Sequence, residues 1–387
     1  MGNILDYVNE YGGFTFVEKP FCEVDGLILS HLSYYVYDGI VPYMEEKGEF
    51  IYFKDILFKM DYQNFLSVTW ELESNKELLY KVMSSRRYRN TRANYYVNEI
   101  SEEYVGQFSA ITFLLGDGEI FISMRGTDDT LVGWKEDFYM AYKTPVKAQE
   151  RGVKYVNDIY KLLLKKKRKH FYLGGHSKGG NLAVYTAMKC DEKVRKKIVH
   201  VYNFDGPGFR PDFLHEEDFE LIKEKVIKYV PEESVVGMLM EQRDDYCMIK
   251  STEIGVAQHV TFSWCIDNDQ FVKSDESIHK RKLLCDRINQ WIFQMNEEQI
   301  GGFLDNLFKL VELTEVKSLS EIQFKIPDFR KKAHSIRNEY KNMDDFTKQI
   351  FWELCVFLIE VMVTDQHERM QKWKVIEVLR QKMERRM

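Results

Sequence analysis

The chain has 387 residues, of which 44% are apolar, so it can fill a sizeable core and is long enough for one large domain with an accessory one. The net charge is −6, and charges of both signs are interspersed, which argues against a nucleic-acid-binding protein. The six cysteines are scattered without a C-x-x-C pair, which argues against a zinc or redox site.

Residues 1–105 are expected to form a helical lead-in that packs on the core of the protein. Apolar residues recur at helical spacing over Val24–Tyr37 and again over residues 63–83. In the second segment Leu and Phe alternate with Glu and Lys, which is typical of a helix with one buried face.

From residue 107 onward, short apolar segments alternate with helical patterns up to about residue 275. A glycine-rich turn at residues 116–118 separates the first two apolar segments and predicts a hairpin. The alternation predicts an α/β fold for residues 106–275, with a mostly parallel sheet covered by helices on both faces. The predicted strands are Gln107–Leu115, Glu119–Met124, His170–Leu173, Lys197–Phe204 and Lys225–Val230. The predicted helices are Leu131–Tyr142, Val146–Leu164 and Asn181–Cys190.

The last part of the chain, residues 276–387, carries no further strand pattern. We expect an all-helical C-terminal region that serves as a lid or as an interaction module. Its amphipathic segments are residues 277–295, 297–314, 328–341 and 343–385.

The segment from residue 171 to residue 183 contains G-x-S-x-G as Gly175, Ser177 and Gly179. An apolar strand precedes it and a helix follows it, which is the context of the nucleophile elbow of α/β hydrolases. There the nucleophile occupies a strained turn, and glycines on either side remove steric clashes. We therefore predict Ser177 as the nucleophile, with His176 inside the elbow. The alternative is a plain turn in which Ser177 caps the helix.

The helix after Ser177 would direct its free backbone N–H groups at the reacting centre. The N–H of Lys178 is thus a predicted oxyanion donor. The Lys178 side chain has two interpretations. It attracts an anionic substrate, or it points to solvent.

A second motif, Arg125-Gly126-Thr127-Asp128, follows an apolar strand, and Trp134 and Asp137 come after it in the next predicted helix. This pattern resembles the class 3 (fungal-type) lipases, which are α/β hydrolases, over roughly residues 105–265. The chain looks closest to an uncharacterised bacterial branch of that fold. The resemblance implies that Thr127 supplies the second oxyanion donor. A structural alternative pairs Arg125 with Asp137 and makes Thr127 a helix cap, and both interpretations can hold at once.

The base is expected late in the chain, because α/β hydrolases follow the order Ser, acid, His. His259 comes after the last predicted strand, where a loop at the C-terminal edge of the sheet would hold it. We therefore predict His259 as the base. His200 lies inside an apolar strand, and His215 comes too early for this order.

The acid departs from the lipase pattern. The family places an Asp after the strand that corresponds to Lys225–Val230, and the matching position here is Ser234. Asp205, at the end of the preceding strand, is the preferred candidate, and Glu233 is the alternative acid. Either carboxylate could orient the imidazole and stabilise its charged form.

Together these residues predict a serine hydrolase that cleaves a carboxylic ester, esterase-like or lipase-like, through an acyl-enzyme on Ser177. The substrate would be a small-molecule or lipid ester. No metal or organic cofactor is expected, because no ligand spacing is present. The alternative is a non-catalytic binding protein on the same fold, which the missing acid at Ser234 keeps open.

The N-terminus lacks a basic region followed by an apolar run, so no signal peptide is expected. The most apolar stretch, Ile350–Val363, is too short to span a bilayer. We therefore expect a cytoplasmic protein without a nucleic-acid partner. No pattern indicates a membrane surface, and the oligomeric state stays open.

Overall fold

A computed structural model describes residues 1–352 except positions 47, 70, 102, 104, 129–130, 165–169, 212, 214–215, 242–244, 275–281, 313–340, 342, 346 and 351. The helices predicted over residues 328–341 and 343–385 lie almost entirely outside the described residues. His215 also lies outside them.

The centre of the fold is an eight-stranded sheet in which the strands lie side by side in chain order. The first three pairings are antiparallel, and the remaining four are parallel. The predicted α/β-hydrolase-like fold class is therefore confirmed. The strands are β1 (Ile51–Tyr52), β2 (Arg92–Ser101), β3 (Gly106–Leu114), β4 (Ile120–Met124), β5 (Phe171–His176), β6 (Ile198–Phe204), β7 (Val226–Pro231) and β8 (Cys247–Ile249), and a small separate ribbon contains β9 (Ile266–Asp267) and β10 (Gln270–Phe271).

Helices flank this sheet and continue beyond its last strand, and no described helix is both long and apolar enough to cross a membrane. Their bounds are α1 (Ile4–Tyr11), α2 (Glu23–Leu32), α3 (Phe53–Ile56), α4 (Tyr62–Phe65), α5 (Leu72–Ser84), α6 (Leu131–Tyr139), α7 (Lys147–Ile159), α8 (Lys178–Lys189), α9 (Glu192–Arg195), α10 (Glu216–Glu220), α11 (Lys282–Gln294) and α12 (Glu297–Glu312).

The chain order of the strands explains why the N-terminal helices are needed. From β4 to β8 every parallel connection steps in the same direction, and right-handed connections of this kind lie on one face of the sheet. Helices α7 and α8 cover that face and contact Ile122 and Leu173. The opposite face presents Phe121 and Tyr202, because side chains alternate along a strand. Helices α1, α2 and α5 bury this second face.

Residues 1–105 contribute two strands as well as helices. β2 is ten residues long and pairs with β3 along nearly its whole length. Its register shifts between Asn94 and Val97, and Tyr95 has a positive φ of 56°. This bulge interrupts the alternation of buried and exposed residues on which strand prediction depends.

Two helices of the C-terminal region pack against loops at the C-terminal edge of the sheet. In α11, the Asn289 side chain accepts a hydrogen bond from the Met240 N–H at 2.7 Å and donates one to the Met238 carbonyl at 2.9 Å. In α12, Phe303 packs on Trp291 of α11 with ring centroids 4.6 Å apart. The predicted segments 277–295 and 297–314 are thus helical over their described parts.

Candidate active site

Ser177 occupies a sharp turn between β5 and α8. Its backbone has φ 58° and ψ −134°, a conformation that non-glycine residues rarely adopt and that the surrounding structure must stabilise. The Ser177 N–H donates to the carbonyl of Phe204 on the neighbouring strand at 2.9 Å, and its own carbonyl accepts from the Gly180 N–H at 2.9 Å. The turn is therefore held from both sides. The Ser177 hydroxyl makes no hydrogen bond with any residue that the structure describes.

The two glycines of the motif allow this turn to form. A Cβ atom on Gly175 would lie 2.4 Å from the backbone carbonyl carbon of Gly179, and a Cβ on Gly179 would lie 2.1 Å from the Met124 carbonyl oxygen. Backbone atoms cannot give way at such distances. Glycine at both positions is thus a steric requirement of packing α8 against β4 and β5.

His259 and Asp205 lie in direct contact. The His259 Nδ1–H donates to Asp205 Oδ2 at 2.6 Å, and Asp205 is fully buried at the end of β6. His259 ends a short 3₁₀ helix, Gly255–His259, whose carbonyl at Gln258 accepts from the indole N–H of Trp264 at 2.9 Å. With Nδ1 bonded to a carboxylate, the Nε2 atom of His259 is available as a proton acceptor.

The structure discriminates between the two candidate acids by their partners. Glu233 accepts a hydrogen bond from the Gly255 N–H at 2.8 Å, whereas the contact with the His259 imidazole is made by Asp205. Ser234, where the lipase pattern has an Asp, donates its hydroxyl to Asp205 Oδ1 at 2.6 Å. Ser234 therefore helps to hold the carboxylate of Asp205, which follows the neighbouring strand β6. Sequence reasoning missed this role, because strand order and loop path decide it.

His176 connects the Ser177 turn with His259. Its ring centroid lies 4.4 Å from that of His259, and its Nε2–H donates to the His259 carbonyl at 2.9 Å. Burial lowers the pKa of His176 far below its usual range, and the neighbouring His259 lowers that pKa further. His176 is therefore neutral at physiological pH.

The predicted oxyanion segment lies against Ser177. A Cβ on Gly126 would be 3.1 Å from Ser177 Cβ, so the residue before Thr127 packs directly on the turn. The Thr127 hydroxyl donates to Asp137 in α6. The structure thus brings the residue before Thr127 against Ser177, and it anchors Thr127 through its side chain. The suggested pairing of Arg125 with Asp137 is wrong, because Arg125 pairs with Asp128 at 3.2 Å.

The interpretation that the Lys178 side chain points to solvent is wrong, because it is 1% exposed. The attraction of an anionic substrate stays a prediction. The Lys178 ammonium group donates to Glu136 at 2.9 Å and to the Gln107 side chain at 2.8 Å, and it lies 3.5 Å from Asp137. Glu136 also accepts from the backbone N–H of Ala148 at 3.0 Å. A buried ion pair therefore ties the start of α8 to α6. No sequence signal linked Lys178 with Glu136, which are 42 residues apart.

Asp137→Asn is expected to remove a pH-dependent loss of stability. Burial raises the pKa of Asp137 from 3.8 to about 6, although the Lys178 ammonium group and the Thr127 hydroxyl favour the charged form. Between about pH 4 and pH 6 the folded chain holds a proton that the unfolded chain has released. The contribution of this group to the free energy of unfolding therefore falls as pH rises, by about 2–3 kcal/mol in total.

Urea unfolding of both proteins across this range measures the effect. The stability of the Asp137→Asn variant relative to the wild type should increase up to about pH 6 and stay constant above it. A difference that does not change with pH would contradict the prediction.

His200 makes its ring contacts with tyrosines inside the sheet. His200 stacks on Tyr172 within the sheet at a centroid distance of 6.4 Å, in line with a structural role. The described residues also contain no cluster of three His, Cys, Asp or Glu side chains that could hold a metal ion.

Three solved structures are similar to this chain at low sequence identity. M37 lipase is 17% identical, with 55% of this chain and 68% of that chain covered and a TM-score of 0.33. A mutant form of MDLA from Penicillium cyclopium is 12% identical, with 66% and 87% covered and a TM-score of 0.39. The Rhizomucor miehei lipase in its propeptide complex is 14% identical, with 43% and 65% covered and a TM-score of 0.29. At these values the likenesses carry no argument about activity.

No curated protein sequence matches this chain significantly. The placement in a bacterial branch stays a prediction. A family model does match: that of the Mbeg1-like family covers residues 82–309, which is more than half of the chain and spans β2 to β8 with the Ser177 turn and His259. This chain therefore belongs to the Mbeg1-like family.

Proposed function

We propose that this protein is a serine hydrolase that cleaves a carboxylic ester through an acyl-enzyme on Ser177. One observation carries the proposal. A serine in a strained strand-to-helix turn follows His176, whose ring lies 4.4 Å from that of His259, and His259 is hydrogen-bonded to Asp205. A strained backbone at such a position is stabilised by surrounding structure and is typical of a functional site.

In the first step His259 Nε2 takes the hydroxyl proton of Ser177 as Oγ forms a bond to the ester carbonyl carbon. Asp205 holds the imidazole in the tautomer that can accept this proton and stabilises the imidazolium that results. The carbonyl π electrons move to the oxygen. His259 then returns the proton to the departing alcohol, and the C–O bond of the ester breaks.

We assign the backbone N–H groups of Thr127 and Lys178 to the stabilisation of the negative oxygen. Loss of one such donor typically costs about 3 kcal/mol of transition-state stabilisation. Water, deprotonated by His259, then attacks the acyl carbon; the bond from this carbon to Ser177 Oγ breaks, and His259 returns the proton to Oγ as the acid leaves. The side-chain anchors of the two donors, Asp137 for Thr127 and Glu136 for Lys178, support this assignment because they fix the donors before substrate binds.

Fluorophosphonate labelling of the purified protein tests the proposal. We expect the wild type to be labelled and Ser177→Ala to be unlabelled, because only an activated serine reacts with this probe. His259→Ala should react at least about 100-fold more slowly, since it lacks the base. Ser84→Ala, which changes an exposed serine of α5, is the matched control and should label like the wild type.

A folded wild type that is not labelled would contradict the proposal and favour the non-catalytic binding protein. That alternative was founded on the absence of an acid at Ser234. Asp205 weakens the support for this alternative, because its carboxylate accepts hydrogen bonds from both the His259 imidazole and the Ser234 hydroxyl. A panel of esters with increasing acyl length, including phospholipids, would then separate an esterase from a lipase.

We further propose that residues 276–387 control access to Ser177, while residues 106–275 form the catalytic core. The described part of this region, α11 and α12, packs on Met238–Met240 beside the acid and on α6 beside the oxyanion segment. Both flanks of the site are thus in contact with one helical pair. Equal labelling rates for a small and a bulky fluorophosphonate would contradict this role.

A further inference from the structure

Tyr34 reaches the candidate site from the N-terminal part of the chain. It lies just after α2, outside the parallel part of the sheet, and is 9% exposed. Its hydroxyl approaches the oxyanion segment so closely that a Cβ on Gly126 would lie 2.1 Å from Tyr34 Oη. The same Cβ would lie 3.1 Å from Ser177 Cβ. Only glycine at position 126 allows the phenol, the oxyanion segment and the serine to meet at one point.

The same hydroxyl also contacts His176. Tyr34 Oη lies 3.1 Å from His176 Nδ1, while His176 Nε2 lies 2.9 Å from the His259 carbonyl. A carbonyl oxygen can only accept, so Nε2 carries the proton of the neutral ring and Nδ1 is an acceptor. The Tyr34 O–H therefore donates to Nδ1, and the His176 carbonyl, at 3.4 Å, is a second and more distant acceptor for the same hydroxyl. A directed chain of hydrogen bonds then runs from Tyr34 through His176 to the backbone of His259.

A second contact from the same segment holds the other side of the His259 loop. The Thr261 hydroxyl lies 2.8 Å from Nδ1 of His31, whose Nε2 lies 2.7 Å from the Asn75 side chain in α5. His31 is buried, and burial lowers its pKa to about 4, so it is neutral at physiological pH. His31 thus contacts the loop directly at Thr261, and Tyr34 contacts it at His259 through the His176 ring.

We propose that Tyr34 is a positioning residue that fixes His259 and the oxyanion segment relative to Ser177. The inference rests on the proposed function, since it assigns His259 as the base. It also means that the N-terminal region positions the catalytic residues in addition to covering the sheet. Tyr34 touches no reacting atom; it acts through the His176 ring and through its approach to Gly126.

The chemistry of the two rings suits this role. Burial raises the pKa of the Tyr34 hydroxyl far above its usual range, and the nearby Asp137 raises it further, so the group remains a hydrogen-bond donor. A donor on Nδ1 also stabilises the neutral form of His176. A neutral His176 exerts no charge repulsion on the positive form of His259, whose ring centroid lies 4.4 Å away.

The test compares Tyr34→Phe with Tyr37→Phe. Both tyrosines are buried, and each variant loses one hydroxyl; that of Tyr37 donates to the Leu32 carbonyl at 3.0 Å. Both should therefore lose similar stability in urea. Only Tyr34→Phe should lower kcat and the rate of fluorophosphonate labelling, by about 10-fold, the effect of one lost hydrogen bond on a barrier. KM should change less than twofold in either variant.

Two results would overturn the inference. The first is a labelled wild type in which both variants lose the same fraction of kcat, and this leaves the proposed function intact. The second is a wild-type ¹⁵N NMR spectrum in which His176 carries its proton on Nδ1, and this measurement needs neither activity nor the Phe variant to fold. By contrast, an unlabelled wild type would refute the proposed function and this inference together.

Discussion

Asp205→Asn is expected to lower kcat/KM for an ester, and the labelling rate of Ser177, by about 10⁴-fold. The Ser234 hydroxyl donates to the other carboxylate oxygen of Asp205 at 2.6 Å, so it will hold the amide oxygen of the variant at that position. The amide NH₂ must then face His259 Nδ1. This forces the imidazole proton onto Nε2, where it blocks transfer from Ser177.

Steady-state kinetics on a soluble ester measures this effect, and Glu233→Gln is its matched control. Glu233 bonds the Gly255 N–H in the same region, and its replacement should change kcat/KM less than about threefold, as for a residue outside the relay. The assignment of the acid is wrong if Glu233→Gln loses more activity than Asp205→Asn.

Arg87→Met is expected to lower the free energy of unfolding by about 3–5 kcal/mol. Arg87 and Asp25 form an ion pair in which both side chains are at most 1% exposed, with Arg87 Nε donating to Asp25 Oδ1 at 2.7 Å. Asp25 also accepts from the hydroxyls of Tyr7 and Tyr88. Removing the guanidinium group leaves a buried carboxylate without its countercharge, in the helix that precedes Tyr34.

Urea or thermal unfolding measures this loss, and the neighbouring residue supplies the control. Arg86 pairs with Glu18 at 3.4 Å, but its side chain is 61% exposed. Exposed pairs contribute at most about 1 kcal/mol, so Arg86→Met should have little effect. If both variants lose the same free energy of unfolding, burial does not decide how much the Arg87–Asp25 pair contributes to stability.

The location of Ser177 in the fold could be predicted because its signals are local. Strand and helix periods alternate on either side of G-x-S-x-G. Each glycine of the motif is required because a Cβ atom there would clash with backbone atoms of neighbouring segments. β5 and α8 begin within a few residues of the predicted positions. The candidacy of His259 also follows from chain order, since it needs only the end of the last predicted strand, Lys225–Val230.

The surroundings of the site could not be predicted, because they depend on contacts between distant parts of the chain. Lys178 meets Glu136 across 42 residues, Tyr34 meets His176 across 142, and His31 meets Thr261 across 230. No periodicity encodes such pairs. Chain order leaves both Asp205 and Glu233 as candidate acids, and only the tertiary structure decides which carboxylate contacts His259.

The sequence by itself thus determined the alternation of strands and helices and the turn at Ser177, since both depend on neighbouring residues. The tertiary structure decided what surrounds that turn. Right-handed connections leave one face of the sheet bare, and the N-terminal helices bury it because exposed apolar surface is unfavourable. The packing of these helices also places Tyr34 and His31 beside His176 and Thr261. No local sequence pattern could specify these contacts.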